Sequence, residues 1–337
     1  MALQQQIRIV ARSPVPKYRQ IVEGVLGLIR SGSLKKGDRV PSLNAMCTKF
    51  ALSQDTVLLA YSELKSRGIL TSSVGKGYFV SNARVDEKHR VFLLFDKLAP
   101  YKETLFEAFK GSMKGKGSER LYFHYNDPVV FRTLIEASAD KYTEYVVMPI
   151  SNTRALESLK LLPARRTFML DQGRSLFASR YPGIYQDFRN DIRSVLSTVV
   201  ETLAQYETLV LVVRQRRAHL NQIADGFRTF CKEHDLRHEI VGDLGLRNTR
   251  TGGAYVIVDD RDLITLVKQA LAMNARLGSD IGIISYNESP LKEVIAGGIT
   301  TISTDFRQMG CSLAEMILTG DRSSKDNPFT MVRRQSF

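Results

Sequence analysis

Four small polar residues stand in a row at Ser53-Gln54-Asp55-Thr56. They come directly ahead of a stretch in which Val57, Ala60, Tyr61 and Leu64 recur at helical spacing. A helix starting there offers hydroxyl, amide and carboxylate groups at its first turn. A Gln amide can bond both polar atoms of an adenine edge, and Ser or Thr hydroxyls can meet base edges or phosphate oxygens. Asp55 repels phosphate, yet it suits the positive end of a helix and can accept from a cytosine amino group. Near this row in sequence are Ser42 and Asn44, the cations Lys35 and Arg39, and Lys76 with Gly77 in the glycine-flanked tip Gly75-Lys76-Gly77. Together they suit contact with a polyanionic, base-bearing partner.

A second set of polar groups follows apolar, strand-like runs: Asp96 and Lys97 after Phe95, then Asp171, Asp260, and Asn287 with Glu288. Tyr101 and Tyr125 supply rings nearby in sequence, as do Phe95 and Tyr286. Convergent acceptors and donors with an apolar ring face suit a polyhydroxylated ligand such as a sugar. Catalytic chemistry has no comparable support. The five histidines show no metal-ligand spacing, and His234 and His238, four apart, lie where a helix is ending. No serine sits in a nucleophile elbow and no glycine-rich loop carries GK[ST], so the sequence gives no reason to expect a catalytic residue, metal or cofactor.

The elements that must position these groups are legible in outline. Ile21, Val25, Leu28 and Ile29 mark a first helix from Lys17 to about Arg30, stopped at Ser31-Gly32-Ser33. Ser42 caps a second helix with Leu43, Met46, Cys47 and Phe50 on its apolar face, and Ser53 caps the third. Strand-like Ile69-Leu70 and Tyr78-Phe79-Val80 flank the glycine tip. Two helices across a short turn followed by a hairpin predict a winged helix-turn-helix over residues 1–82. Charge agrees: residues 1–88 hold 14 Lys and Arg against 6 Asp and Glu, and this +8 is most of the +13 of the 337-residue chain.

Residues 83–89 are polar and read as a linker. Beyond them strand candidates at 91–95, 121–125, 145–148, 167–170, 208–213, 238–240, 254–258, 280–285 and 298–303 alternate with helical stretches at 102–115, 129–140, 187–207, 220–234, 262–274 and 305–319. Such alternation predicts a C-terminal α/β domain of two lobes with largely parallel sheets over 90–337. Three scattered cysteines, an N-terminus without a signal-type apolar run and the lack of any long apolar stretch point to a cytoplasmic protein without a membrane partner.

The stretch from PKYRQI through IRSGSLKKGDRVPS and LSQDTVLLAYSELKSRGIL to GKGYFV resembles the winged-helix domain of the GntR family of bacterial regulators. That resemblance implies a homodimer on a palindromic operator in double-stranded DNA, with Arg39, Ser53, Thr56 and Gly77 at positions near the DNA. This chain departs from the family at Asn44, Gln54 and Leu58, where arginines are frequent. The stretches LGSDIGIISYNE and ITTISTDF resemble the effector domain of LacI/GalR regulators, itself similar to periplasmic sugar-binding proteins. By this resemblance Asp171, Asp260, Asn287 and Glu288 lie at strand ends near a ligand, and Gln222 near a helix position that often holds a sugar-binding Arg. The domain order is that of arabinose-responsive regulators. It implies a repressor controlled by a monosaccharide such as L-arabinose or L-fucose; the alternative is a sugar- or nucleotide-handling enzyme tethered to a basic domain.

Overall fold

In a computed structural model of the protein the described residues are 7–10, 13, 15–82, 89–139, 141–150, 153–214, 217–245 and 249–337. Residues 83–88 of the expected linker lie outside them. The first element, α1 (Lys17–Arg30), begins after Pro16 and buries Ile21, Val22, Val25, Leu26, Leu28 and Ile29. α2 (Leu43–Phe50) is capped by Ser42, whose Oγ accepts the Ala45 N–H at 3.2 Å. α3 (Gln54–Ser66) buries Val57, Ala60, Tyr61 and Leu64, and its cap Ser53 accepts the Thr56 N–H at 3.3 Å. The buried Tyr61 hydroxyl donates to the Pro41 carbonyl at 2.6 Å, tying α3 to the segment that opens α2. β1 (Leu70–Ser73) and β2 (Gly77–Val80) then pair antiparallel, from Leu70 opposite Val80 to Ser73 opposite Gly77. The Val40 N–H donates to Tyr78 O at 3.0 Å and the Val80 N–H to Asp38 O at 2.9 Å, so residues 38–40 flank β2 on its other side. This is the expected winged helix-turn-helix around one apolar core.

The rest of the chain alternates strands and helices. β3 (His89–Phe95), α4 (Pro100–Met113), β4 (Gly117–Phe123), α5 (Pro128–Ser138), β5 (Glu144–Val147), α6 (Thr153–Leu159) and β6 (Thr167–Asp171) come first. α7 (Arg174–Phe177), β7 (Gly183–Tyr185), α8 (Phe188–Ser197), α9 (Val200–Leu203), β8 (Thr208–Val212), α10 (Ala218–Glu233), β9 (His238–Val241) and β10 (Gly253–Ile257) follow. The chain ends with α11 (Asp260–Ala272), β11 (Ile281–Tyr286), α12 (Pro290–Val294), β12 (Thr300–Thr304), α13 (Phe306–Thr319), β13 (Ser324–Asp326) and β14 (Phe329–Val332). Among the described residues two six-stranded sheets result, in the orders β13-β7-β6-β5-β3-β4 and β14-β12-β11-β10-β8-β9. β3 pairs parallel with β4 and β5, and β8 with β9 and β10, whereas β14 runs antiparallel to β12. This is the expected α/β architecture.

By packing, the chain divides into two units, Met1–Lys97 with Met113–Met169, and Leu98–Ser112 with Leu170–Phe337. In the second unit the alternation of β8 builds two cores. Leu209 and Leu211 join Phe227, Phe230, Ile284 and Ile302 on one face. Val210 and Val212 join Leu263, Leu266, Ile283 and Ile299 on the other. Burial of both strand faces is what a parallel sheet covered by helices requires.

Some elements differ from the sequence expectation. The helix expected over 187–207 is two, α8 and α9. The strand expected at 121–125 starts earlier, at Gly117, and stops at Phe123, because Tyr125 and Asn126 turn the chain through positive φ of 49° and 61°. β7, β13 and β14 have three or four residues, too few for a period of two to register.

Candidate nucleic-acid interface and ligand pocket

The winged helix presents its polar groups outward. Ser53, Gln54 and Asp55 are exposed at the start of α3, with Thr56 half-buried and its hydroxyl 2.8 Å from that of Ser53. Both hydroxyls help cap the helix, so its first turn is set before any partner arrives. Lys35, Arg39, Ser42, Asn44 and Lys76 are also exposed. The wing brings two of the expected residues together. Gly77 has φ of +102°, and a β-carbon there would lie 3.2 Å from Arg39 Nε. Glycine therefore serves both the backbone turn and the seat of the Arg39 guanidinium. Leu58, 40% exposed, stands on α3 as an apolar residue on a largely polar surface.

A buried polar cluster lies in the second unit. Lys102, on the first turn of α4, is buried with its Nζ 3.6 Å from Asp171 Oδ2 at the end of β6. Gln186 donates through its side chain to the other Asp171 oxygen, and its backbone N–H donates to Asp171 O at 2.8 Å. Asp171 holds φ of 78°, a left-handed conformation that is uncommon outside glycine and concentrates where function requires it. The Tyr286 hydroxyl and Gln186 Oε1 are buried without a hydrogen-bond partner. Burial, and then the negative charges of Asp191 and Asp171, push the Tyr286 phenol well up. Burial raises the Asp191 carboxyl to about 7, with neighbouring Asp187 adding to the rise. α4 is seated by α13: a β-carbon at Gly310 would collide with Leu105 O and reach 2.9 Å from Phe109 N. Tyr101 is half-buried, its ring centroid 4.7 Å from that of Phe306.

The remaining expected ligand residues spread out. In the first unit Phe95 and Asp96 are buried and Lys97 is exposed at the carboxyl end of β3. Beside them in that unit the buried His124 accepts the Asn126 N–H at Nδ1, so Nε2 carries the proton that bonds Met148 O at 3.0 Å. In the second unit Lys292 links Asp260 to Asn287. Its buried Nζ lies 2.9 Å from Asp260 Oδ1 and donates to Tyr286 O at 2.9 Å and Asn287 O at 2.8 Å. Asp260 is otherwise exposed, as is Gln222 on α10. Glu288 bonds Arg334 at 2.9 Å and the Thr301 hydroxyl. Burial pushes its carboxyl up, but those bonds outweigh it and hold it below its ordinary value.

Sequence reasoning missed Lys102, Gln186 and Asp191, and valued Tyr286 only for its ring. Lys102 sits one residue after the named Tyr101, and Gln186 follows a three-residue strand. A single buried Lys leaves no periodic signal.

Comparison with known proteins assigns both parts. Residues 17–80 match the family model of bacterial regulatory proteins, gntR family, and residues 204–337 match a periplasmic binding protein-like domain. Over 99 residues the chain is 33% identical to the HTH-type transcriptional repressor YtrA of Bacillus subtilis, covering 29% of this chain and 72% of that protein. It is 35% identical over 74 residues to an arabinose metabolism transcriptional repressor of Geobacillus stearothermophilus, covering 22% of this chain but 20% of the relative. Among solved structures, the lac repressor dimer bound to operator and the anti-inducer ONPF aligns at a TM-score of 0.60 and 15% identity, over 73% of this chain and 93% of that one. At that identity the likeness is one of fold. These two sequence relatives are named as transcriptional repressors, and the C-terminal match is to a binding-protein-like domain, which favours a regulator over the tethered-enzyme reading. Among the described residues no helix is long and apolar enough to cross a membrane.

Proposed function

Because the chain belongs to the gntR family of bacterial regulatory proteins, we propose that it is a cytoplasmic repressor whose DNA affinity is set by a monosaccharide. Residues 1–82 read a palindromic operator, residues 90–337 bind the effector and dimerise, and two-fold symmetry presents two copies of α3 to two half-sites. Gln54 and Asn44 read or position on the bases, Ser42, Ser53 and Thr56 meet the backbone, and Arg39, Lys35 and Lys76 supply the phosphate contacts.

The observation that carries the effector reading is the buried polar cluster at Asp171. A sugar hydroxyl is both donor and acceptor, so it suits either kind of unpartnered group here, the Tyr286 hydroxyl or Gln186 Oε1. Groups of this type cost about 1–3 kcal/mol each when buried unpaired, which a cognate ligand recovers on binding. Lys102 and Asp171 neutralise each other, so the cluster favours an uncharged polyol over an acid. L-arabinose and L-fucose are the candidates, and an arabinose metabolism repressor among the relatives, matched over 74 residues, favours the first.

A thermal-shift screen of neutral monosaccharides and sugar acids on the full chain tests this. At 100-fold excess over Kd a cognate ligand adds about 2.7 kcal/mol of stability. A shift with a neutral sugar that vanishes in Tyr286→Phe is the expected result. A response confined to acids, or to no sugar at all, would remove the sugar assignment.

A further inference from the structure

The C-terminal end of α3 is held from outside the winged helix, within the same packing unit. The Arg90 Nη1 donates to Ser66 O at 3.3 Å. Arg166 Nη1 donates to Ser66 Oγ at 3.1 Å, and its Nη2 lies 3.9 Å from Glu63 Oε2. Two guanidiniums thus sit where the last carbonyls of a helix carry partial negative charge. Ser66 is 1% exposed, although it ends a surface helix of a small domain. Gly68 leaves the helix at φ of +67°, and a β-carbon there would collide with the Arg90 guanidinium. Arg90 is itself braced, its Cζ 5.6 Å from the Tyr142 ring and its backbone N–H bonded to Thr143 Oγ1 at 2.6 Å.

The position of these arginines in the α/β fold gives the contact a use. Arg90 lies near the start of β3, whose other end is Phe95, followed by Asp96 and Lys97. Arg166 immediately precedes β6, whose other end is Asp171. Each therefore opens a strand that closes on a candidate ligand residue, and β5 lies between the two strands. Five residues of β6 span roughly 17 Å.

We propose that Arg90 and Arg166 form a clamp by which the α/β domain grips the recognition helix at the end opposite its reading surface. The clamp fixes the angle at which each copy of α3 is offered to DNA, and so the half-site spacing that the dimer accepts. It also supplies a direct path, besides the linker, from the strand ends to the helix. The fixing of α3 rests on DNA reading by the helix and does not depend on which effector binds.

The test uses the full chain with Arg166→Glu, which sets a carboxylate against Glu63, and the charge swap Glu63→Arg with Arg166→Glu, which restores an ion pair. Hydrogen exchange at the amides of Arg67, Gly68 and Ile69 is expected to speed about tenfold in the single variant and to return toward wild type in the swap. The DNA probe is the duplex that wild-type chain selects from a random pool, remade with its half-sites one and two base pairs closer or farther apart. Wild type and swap should lose about tenfold or more in affinity off the native spacing, and Arg166→Glu should flatten that loss to within about threefold. Arg166→Gln, which only deletes the contact, should fall between wild type and the reversal. If exchange and spacing preference are unchanged in Arg166→Glu, or if the swap restores neither, there is no clamp. Failure to select any duplex counts against DNA reading instead, and the exchange measurement still decides the contact.

Discussion

The winged helix and the polar cluster at Asp171 are built in opposite ways. In the first, the working groups are exposed, nearly contiguous in sequence and held by bonds a few residues long, such as Ser53 to Thr56. In the second, they are buried or half-buried, Lys102 and Asp171 paired and the Tyr286 hydroxyl unpartnered, and they come from Lys102, Asp171, Gln186, Asp191 and Tyr286, scattered over more than half the chain. An exposed reader loses affinity when altered but keeps its fold. A buried binder stakes stability on each group.

That contrast is broken most severely at Lys102. Lys102→Met leaves Asp171 as a buried, uncompensated charge and should cost about 3–5 kcal/mol in urea unfolding. Replacing both residues by apolar ones of similar volume should cost much less. If the single variant costs no more than the pair, the cluster is not a coupled unit. At the reader, Gln54→Ala should weaken binding to the selected duplex by about 1–3 kcal/mol and relax the preference at one base, with the urea midpoint unmoved. A uniform loss across all sequences would instead place Gln54 on the phosphate backbone.

Acidity separates the two regions as well. Asp191 is raised from its ordinary value to about 7 by burial and by Asp187. A raised carboxyl favours the protonated fold. Its contribution is therefore fully present at low pH and is lost as pH climbs from about 4 to about 7. Asp191→Asn should flatten the fall in melting temperature over that window; an unchanged slope would show that the group titrates normally. The smallest effect concerns Leu58, whose substitution by Arg adds a cation to α3. It should tighten non-specific binding and steepen the salt dependence by about one unit of slope per protomer, without changing the selected sequence.

The same contrast decides how much was legible. Ser42, Ser53, Gly77 and the apolar spacing of α1 to α3 are local signals, and each element of the winged helix lies where they place it. The parallel sheets were legible as alternation, but β7 was too short to show, and with it went Gln186. Asp171 was visible as a strand-end carboxylate. Its partner Lys102 was not, because pairing across 69 positions follows from the packing of α4 and not from any pattern in the sequence. Gly310, whose lack of a side chain admits α4, looks in sequence like any helix glycine. The grip of Arg166 on Ser66, 100 positions away, was hidden for the same reason.

If the cluster at Asp171 governs the exposed reader as proposed, DNA affinity must depend on what that cluster binds. Affinity for the selected duplex, measured by anisotropy with and without the neutral sugar that raises the melting temperature, tests it most directly. Linkage requires a difference, and coupling of this kind typically amounts to about 5–150-fold. Wild type should change within that range and Tyr286→Phe should not change. Equal affinities with and without saturating sugar in the wild-type chain would contradict it.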